Sequence, residues 1–345
     1  MKNKSILAII LGICLITTSC GKQMKKEEPS VTRENYLLGT IVQLKVYGKN
    51  ADSAATKAMD VISNIDDLMS TTKPASDVSK INNNAGKDFV EVNDHTYKVI
   101  KKALYYSELS EGALDITVGP LVNLWAIGTE KAKVPTPKEI KENLNLINYK
   151  DIEFDDSKKL VKLKRKSQKI DLGAIAKGYA ADEVKETLIK EGIKTAFINL
   201  GGNVVTLGDK SDGTPWNIGV QDPLNTRGDY FGVLKVSNKS IVSSGNYERF
   251  FVKDGIKYHH ILDTKTGYPS ENELMGTTII SENSIDGDAL STSIFVLGLD
   301  KGMKLIEGLK GVDAIFITKD KKVYTSSGIK DSFTITNKEY IYEER

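Results

Sequence analysis

Apolar residues recur at helical spacing in several stretches of this chain. The pattern predicts amphipathic helices over 52–69, 94–110 and 173–191, and Gly112 and Gly192 stand just past the last two. Thr136-Pro137-Lys138-Glu139 has the spacing of a capping box, with Pro at the first helical position, so a short helix is expected after it. Two further helices are expected near 285–297 and 301–309.

Strand-like runs lie between these helices. "YLLGTIVQLKVYG" (36–48) predicts a strand, and 152–164 predicts a hairpin that turns at Asp156-Ser157. Other strands are expected near 195–207, 216–220, 230–237, 240–252, 257–262, 276–282, 312–318 and 321–326. Strands and helices that mix without strict alternation predict an α+β (mixed α/β) fold. Because no long linker or repeat interrupts 33–345, we expect a single folded domain there.

The first twenty residues differ from the rest. Lys2 and Lys4 precede an apolar run at 6–16, which is too short to span a bilayer but suits the core of a signal peptide. Small residues then lead to Cys20, so 1–20 is expected to be a lipoprotein signal and Cys20 the lipid-bearing residue. The alternative is a plain secreted protein in which Cys20 has no role.

A lipidated Cys20 would place the protein at the cell membrane, on its extracytoplasmic face. Residues 21–32 are polar and lack apolar periodicity, so they are expected to be a flexible tether. The only other cysteine, Cys14, lies inside the signal, so the processed chain could form no internal disulfide.

Composition narrows the function classes. The chain is 40% hydrophobic and 27% charged, as in ordinary globular proteins. Removing 1–20 takes away two lysines and no acids, which leaves Lys plus Arg equal to Asp plus Glu, at 46 each. A chain without net side-chain charge is not expected to bind nucleic acid electrostatically.

The segment "KIDLGAIAKGYAAD" (169–182) runs from a strand end into a helix start. Backbone amides at such a start attract phosphate, and Lys177 lies one turn into the helix. The alternative is an ordinary turn in which Asp171 is a cap and Lys177 faces solvent. Neither a P-loop nor a Rossmann glycine pattern is present in the sequence.

In "SIDGDALSTSIFVLG" (284–298), Asp288 and Thr292 are four residues apart, so their oxygens share one side of a helix. A carboxylate and a hydroxyl are hard ligands of the kind that Mg²⁺ accepts. The alternative is that Asp286 or Asp288 caps the helix and that Thr292 bonds back to its own helix.

"YHHILDTKTGYPS" (258–270) holds two of the three histidines. Because a strand alternates its faces, one of His259 and His260 should point inward and the other outward. An imidazole with a near-neutral pKa can accept a proton from a hydroxyl. Zinc binding is possible but unsupported, since adjacent histidines on a strand diverge.

Several motifs together resemble the ApbE family, in order and spacing, from about Tyr36 to past residue 320. They are "MSTTKPASDVSKIN", "GALDITVGPLVNLW", "DLGAIAKGYAAD", "INLGGNV", "VSSGNYERFF", "HHILDTKTGYP" and "GDALSTSIFVLG". The resemblance implies one ApbE-like domain with mixed and antiparallel sheets and flanking helices. It also implies a Mg²⁺-dependent FAD:protein FMN transferase, which joins the FMN of FAD to a Thr or Ser hydroxyl of an acceptor protein and releases AMP.

The resemblance also implies roles for single residues. Asp288, Thr292 and the carbonyl of Ala174 match the family's metal ligands, and His260 matches the proposed general base, with His259 as a packing neighbour. The positions that match FAD contacts are Leu38 (where the family often has Met), Ala113, Leu114, Asp115, Asp171, Lys177, His260 and Ile261. The implied acceptors are subunits of Na⁺-translocating NADH:quinone reductase or Rnf-type complexes. Two alternatives stay open: an FAD pyrophosphatase that forms FMN and AMP, and a lipid-anchored flavin-binding protein.

Overall fold

The computed structural model describes residues 28–226 and 228–344. The predicted signal (1–20), its Cys20 and the tether residues 21–27 lie outside the described residues. The first strand already begins at Ser30, where it pairs with Tyr47. The last three residues of the predicted tether, 30–32, therefore belong to the folded sheet, and that boundary was set too late.

Helices and strands alternate irregularly along the chain. The α-helices of the described residues are α1 (Ala51–Met69), α2 (Asp77–Asn83), α3 (Asp94–Leu109), α4 (Gly119–Trp125), α5 (Pro137–Leu144), α6 (Ala176–Lys190) and α7 (Ser284–Glu307). The strands are β1 (Ser30–Leu37), β2 (Thr40–Tyr47), β3 (Val90–Glu91), β4 (Ile152–Asp155), β5 (Leu160–Leu163), β6 (Thr195–Leu200), β7 (Asn203–Leu207), β8 (Trp216–Gln221), β9 (Tyr230–Val236), β10 (Ser240–Gly245), β11 (Phe250–Lys253), β12 (Ile256–His259), β13 (Leu274–Ser281), β14 (Asp313–Thr318), β15 (Lys322–Thr325), β16 (Phe333–Ile335) and β17 (Ile341–Tyr342).

A nine-stranded sheet organises the molecule, in the order β1-β2-β6-β7-β10-β13-β14-β15-β17. Its neighbours are antiparallel except for the parallel pair β15–β17. Helices α1, α6 and α7 pack on one face, and the sheet β16-β9-β8 packs on the other. Central β13 is buried at all its positions because both faces of the sheet are covered. The α+β prediction is confirmed.

Most predicted elements lie within a few residues of the observed ones, and the capping box of Thr136 and Glu139 forms. The predicted strand 36–48 was wrong as a single element. The chain turns at Leu38 and Gly39, with φ of 52° and 68°, so β1 and β2 form a hairpin. The helices expected near 285–297 and 301–309 form one assigned helix, α7, broken at Gly298, where φ is 78°.

Two smaller sheets complete the architecture. Strands β3, β5 and β4 form one, and the hairpin β11–β12 forms the other. Within the described residues, no helix has the length and apolar character needed to cross a bilayer.

Candidate active site

Helices α6 and α7 cross closely, and Gly178 is the reason that they can. A Cβ atom at this position would lie 2.3 Å from the Ser284 carbonyl oxygen and 2.7 Å from the Asp288 Cβ. With only hydrogen there, the Gly178 amide reaches across and donates to Asp288 Oδ2 at 2.9 Å. The crossing thus holds Asp288, which is 3% exposed, against the first turn of α6.

The start of α7 is capped from the neighbouring helix. Asp182 of α6 accepts hydrogen bonds from the amides of Ser284 (2.7 Å) and Ile285 (2.8 Å). Burial raises the pKa of Asp182 to about 6, although these two hydrogen bonds act to lower it. Neither Asp286 nor Asp288 is the N-cap residue, so the capping alternative was wrong for both.

Hydroxyl groups fix α7 to the sheet beneath it. Ser291 Oγ lies 2.8 Å from Ser244 Oγ on β10, and Thr277 Oγ1 on β13 donates to the Ser291 carbonyl at 2.9 Å. Asp288 and Thr292 flank this anchor, one helical turn apart. Their positions therefore follow from the packing of α7 on β10 and β13.

Lys177 is the direct partner of Asp288. Its Nζ lies 2.9 Å from Asp288 Oδ1 and donates to the Gly173 carbonyl, also at 2.9 Å. Ala174 is the next residue in the turn that leads into α6. Lys177 is therefore part of a partly buried ion pair, so the alternative that it faces solvent was wrong.

Asp171 lies at the start of the same turn. Its Oδ1 accepts the Gly173 amide at 2.7 Å, so it does cap the turn, as the alternative expected. Burial raises the pKa of Asp171, and the charges of Lys177 and Arg249 oppose that rise. Asp171 thus lies within electrostatic reach of both cations.

The loop of Ala113, Leu114 and Asp115 is buried next to this turn. Asp115 accepts bonds from the amide (2.8 Å) and hydroxyl (2.6 Å) of Thr117 and from the Tyr149 amide (2.9 Å). Burial raises the pKa of Asp115. Since Oδ1 accepts from Thr117 and Oδ2 from Tyr149, the Asp115 side chain fixes the loop, and the loop backbone is what remains to meet a ligand.

Leu38 takes its left-handed conformation in the β1–β2 turn with help from α1. Its amide donates to Asp66 Oδ1 at 3.1 Å. Arg249 Nη2 donates to the next carbonyl, that of Gly39, at 2.8 Å. Arg249 therefore ties the Leu38 turn to the segment that enters β11.

The two histidines separate as predicted. His259 is 6% exposed, and its Nε2 donates to the Ser270 carbonyl at 2.9 Å. His260 is exposed, and its Nδ1 lies 3.3 Å from the Arg249 carbonyl. Because a carbonyl can only accept, Nδ1 of His260 carries the hydrogen and Nε2 keeps its lone pair. Ile261, which follows, is buried.

Two effects hold His260 in its neutral form. Protein atoms packed around the ring, and then the charge of Arg249, lower the pKa of His260 to about 4. Part of its surface still reaches solvent. A neutral imidazole with a free Nε2 can accept a proton.

Apolar packing sets the direction of the β11–β12 hairpin. Tyr258 stacks on Phe251 with ring centroids 5.3 Å apart and packs on Trp125 at 5.5 Å. Trp125 Nε1 also donates to the Gly267 carbonyl at 2.8 Å, so α4 holds both the hairpin and the turn after it. Thr264 Oγ1 of that turn donates to the Gly112 carbonyl at 2.5 Å, which joins it to the Ala113 loop.

These contacts join most of the predicted site residues. Lys177 touches Asp288, and the charges of Lys177 and Arg249 act on both Asp171 and His260. Thr292 follows Asp288 by one turn. Cys20 lies outside the described residues. Among those residues, no group of three or more His, Cys, Asp or Glu side chains is placed to hold a metal.

The sequence prediction missed three residues that shape this cluster: Arg249, Asp182 and Asp66. Arg249 stands in the quoted motif "VSSGNYERFF", but no spacing marks it. Asp182 and Asp66 act on backbone amides that are distant in sequence, which no local pattern indicates.

Comparisons with known proteins show which family the chain resembles in sequence and in structure. The ApbE family profile matches residues 38–316. An FAD:protein FMN transferase of Klebsiella pneumoniae is 38% identical over 84% of this chain and 90% of that protein, and one of Treponema pallidum is 33% identical over 98% and 97%. The crystal structure of the ApbE protein of Thermotoga maritima (35% identity) matches with a TM-score of 0.81 over 88% of this chain and 99% of that one. The flavin transferase ApbE of Vibrio cholerae matches with a TM-score of 0.80 at 28% identity, over the same shares. The chain therefore belongs to the ApbE family.

Proposed function

We propose that this protein is an FAD:protein FMN transferase that uses Mg²⁺. It joins the FMN phosphate of FAD to a Thr or Ser hydroxyl of an acceptor protein and releases AMP. The observation that carries the proposal is the cluster in which Lys177 contacts Asp288 and acts electrostatically on His260. The names of the Klebsiella and Treponema relatives support the same reaction.

Asp288, Thr292 and the carbonyl of Ala174 would hold the Mg²⁺. Their oxygens are the hard ligands that this ion prefers. The position also favours a cation, because an ammonium group already lies 2.9 Å from the buried Asp288 carboxylate. When bound there, Mg²⁺ neutralises charge that develops on the diphosphate.

His260 is the proton acceptor in this proposal. Its neutral Nε2 takes the proton of the acceptor hydroxyl as that oxygen bonds to the FMN phosphorus. The bond from this phosphorus to the bridging oxygen breaks, and AMP leaves with that oxygen. A hydroxyl is a poor nucleophile at neutral pH, so a positioned base contributes on the order of 10²–10⁴ in rate.

The cationic side chains around the cluster favour a diphosphate substrate. The charges of Lys177 and Arg249 both lower the pKa of Asp171, so both cations act on this carboxylate. Arg249 also holds the Leu38 turn, a predicted FAD contact, beside the segment that leads to His260. The same residue thus links a flavin-binding element to the proposed base.

Intact mass spectrometry tests the proposal directly. The full chain is incubated with FAD, Mg²⁺ and a candidate acceptor, for which subunits of Na⁺-translocating NADH:quinone reductase or Rnf-type complexes are the first choice. The acceptor should gain the mass of FMN as AMP appears. An acceptor without its target hydroxyl, addition of EDTA, and Asp288→Asn should each stop the gain. An unmodified acceptor under all conditions would refute the transferase assignment.

Hydrolysis of FAD is the second candidate, because water reaches the exposed His260. Water in place of the hydroxyl would give FMN and AMP without an acceptor. FMN that forms freely at the same rate with or without the acceptor would favour this reading. FAD that binds and stays intact would instead favour a flavin-binding protein.

The N-terminal segment supports a location on the extracytoplasmic face of the cell membrane, with lipid on Cys20. The variant Cys20→Ser should then move the protein from the membrane fraction to the soluble fraction. Equal membrane retention of the variant and the unaltered protein would exclude this anchor.

A further inference from the structure

The carboxylate of Asp288 is already compensated by the protein itself. Lys177 Nζ lies 2.9 Å from Oδ1 and 3.3 Å from Oδ2, and the Gly178 amide donates to Oδ2 at 2.9 Å. The side chains of Lys177 and Asp288 are only 22% and 4% exposed. A carboxylate this buried requires a partner, because a charge that has lost its water and has no partner is strongly destabilising.

The ammonium group lies where the proposed metal would bind. Besides Asp288, it contacts the Gly173 carbonyl at 2.9 Å, one residue before the Ala174 carbonyl proposed as a metal ligand. Two cations cannot share one carboxylate at this distance without strong repulsion in a partly dry environment. A metal on Asp288 would therefore disfavour the present position of Lys177 and push it away from this carboxylate.

Once displaced, Lys177 needs another anionic partner. Asp171 is another carboxylate whose pKa responds to the charge of Lys177, but its Oδ1 already accepts a hydrogen bond from the Gly173 amide. The diphosphate of FAD would supply anionic oxygens beside the same turn. The phosphate oxygens of FAD would thus pair with the Lys177 ammonium group after the metal displaces it from Asp288.

We propose that Lys177 is an exchangeable counter-ion of Asp288, which pairs with this carboxylate in the metal-free protein and transfers to the FAD diphosphate when metal binds. This inference rests on the metal and FAD site of the proposed function. The exchange makes metal binding and FAD binding reinforce each other. Bound FAD gives Lys177 a new anionic partner, so the metal no longer meets its positive charge. Bound metal gives Asp288 a new cation, so Lys177 can turn to FAD without leaving that carboxylate unpaired. Metal alone should bind weakly.

Binding of Mn²⁺, measured by electron paramagnetic resonance on the full chain, tests the exchange without catalysis. Lys177→Met removes the ammonium and keeps an unbranched side chain. Lys190→Met removes a lysine from the exposed end of the same helix and is the matched control. Asp288→Asn shows whether the ion measured is the one at this site.

Without FAD, Lys177→Met should bind Mn²⁺ about tenfold more tightly than the unaltered protein or Lys190→Met. With FAD present, the Mn²⁺ affinity of the unaltered protein should rise, so the difference in Mn²⁺ affinity between it and Lys177→Met should become smaller. Lys177→Met should also bind FAD more weakly than the unaltered protein. Equal Mn²⁺ affinities without FAD, together with loss of binding in Asp288→Asn, would overturn the exchange and leave the metal site intact. Unchanged binding in Asp288→Asn would overturn both.

Thermal unfolding gives a second readout. Lys177→Met leaves the buried Asp288 with the Gly178 amide but without a counter-ion, so the melting temperature of the variant should fall without metal and rise more with Mn²⁺ than that of the unaltered protein. If Lys177→Met does not fold, Lys177→Gln keeps a hydrogen-bond donor and carries the same expectation. Equal Mn²⁺ shifts in the variant and the unaltered protein would contradict the exchange.

Discussion

His259 and His260 are neighbours in sequence but differ in what their ring nitrogens reach. His259 donates through Nε2 to Ser270 and packs its edge on Phe295, with ring centroids 5.7 Å apart. Burial lowers its pKa to about 4. His260 has a similar pKa, but its Nε2 is available at an exposed ring. The alternation of strand faces thus buries one histidine and leaves the other exposed, as the proposed role of His260 requires.

The variant His260→Asn should therefore separate catalysis from binding. Asparagine keeps a side-chain hydrogen-bond donor for the Arg249 carbonyl but has no basic nitrogen. We expect the rate of FMN transfer to fall by about 10²–10⁴, with little change in FAD affinity. Rapid-quench assay of AMP and flavin fluorescence titration measure the two quantities. Transfer at an unaltered rate would remove His260 from the mechanism.

On the acid limb of the pH profile, the pH at which kcat/KM falls should depend on the charge of Arg249. In the proposed mechanism neutral His260 is the active form, so kcat/KM should fall as pH drops through the pKa of about 4. Arg249→Met removes a charge that lowers this pKa, so the limb should move to higher pH. The protein atoms packed around the ring, which are the larger cause of the lowered pKa, remain in Arg249→Met and should keep the acid limb below the ordinary histidine range.

Lys253→Met is the control for this shift, since it removes one positive charge from the far end of β11. Its acid limb should stay near that of the unaltered enzyme. A limb that does not move in Arg249→Met, or that moves equally in both variants, would contradict the electrostatic link between Arg249 and His260.

At the scale of elements, the α6–α7 crossing is the contact on which the site depends. Gly178→Ala would gain about 1 kcal/mol of helix propensity in isolation. Its Cβ would meet backbone at 2.3 Å, however, so we expect a net loss of about 1–3 kcal/mol in unfolding free energy and weaker Mn²⁺ binding. Urea unfolding and Mn²⁺ titration measure both.

Gly308→Ala provides the comparison for this variant. Gly308 is the C-cap of α7 and has a negative φ, and a Cβ there would approach backbone no closer than 3.4 Å. It should cost little stability and leave Mn²⁺ binding unchanged. Similar losses in both variants would show that the α6–α7 crossing has no special role.

Elements with local causes were predictable from the sequence. The capping box at Thr136 and the apolar face of α1 each need only nearby residues, and both form as expected. The short helix α2 gave too few turns for a periodic signal. The turn at Leu38 was hidden because an apolar residue takes a left-handed conformation there, with its amide bonded to Asp66, 28 residues away.

The candidate site likewise contains residues that the sequence could predict and residues that it could not. Family motifs brought Asp171, Lys177, Asp288 and His260 into the prediction, and the structure joins them. Arg249 and Asp182 act through contacts between elements, which a pattern within one segment does not reveal. The ion pair between Lys177 and Asp288 was likewise unpredicted, since each residue had been assigned a ligand rather than the other as partner.

At the scale of the whole molecule, antiparallel pairing returns the chain repeatedly to one region, where Lys177 meets Asp288 and Arg249 meets the Gly39 carbonyl. The helix layer supplies Lys177 and Asp288, while His260 directly follows the β11–β12 hairpin, which lies outside the large sheet. Hydrogen bonds between loops, such as Asp171 to Ile116 at 2.8 Å, join these layers. Folding and site assembly are therefore expected to be one cooperative event.

The titration of Asp182 should contribute to the pH dependence of the free energy of unfolding. Its folded pKa of about 6 exceeds the ordinary 3.8, so its contribution to stability is fully present below about pH 4 and is lost as pH rises through 6. The two histidines act in the opposite sense. Their folded pKa values of about 4 lie below the ordinary 6.5, so their contribution is present above 6.5 and is lost as pH falls through 4.

Asp182→Asn should remove one of these opposing contributions. It keeps an oxygen that can accept from the start of α7 but no longer titrates, so unfolding free energy should rise more steeply between about pH 4 and 6 than in the unaltered protein. Urea unfolding at several pH values in this window measures the slope. Glu186→Gln removes an exposed carboxylate from the same helix and should leave the slope unchanged. Equal slopes for Asp182→Asn and the unaltered protein would mean that the desolvation of Asp182 does not outweigh its two hydrogen bonds.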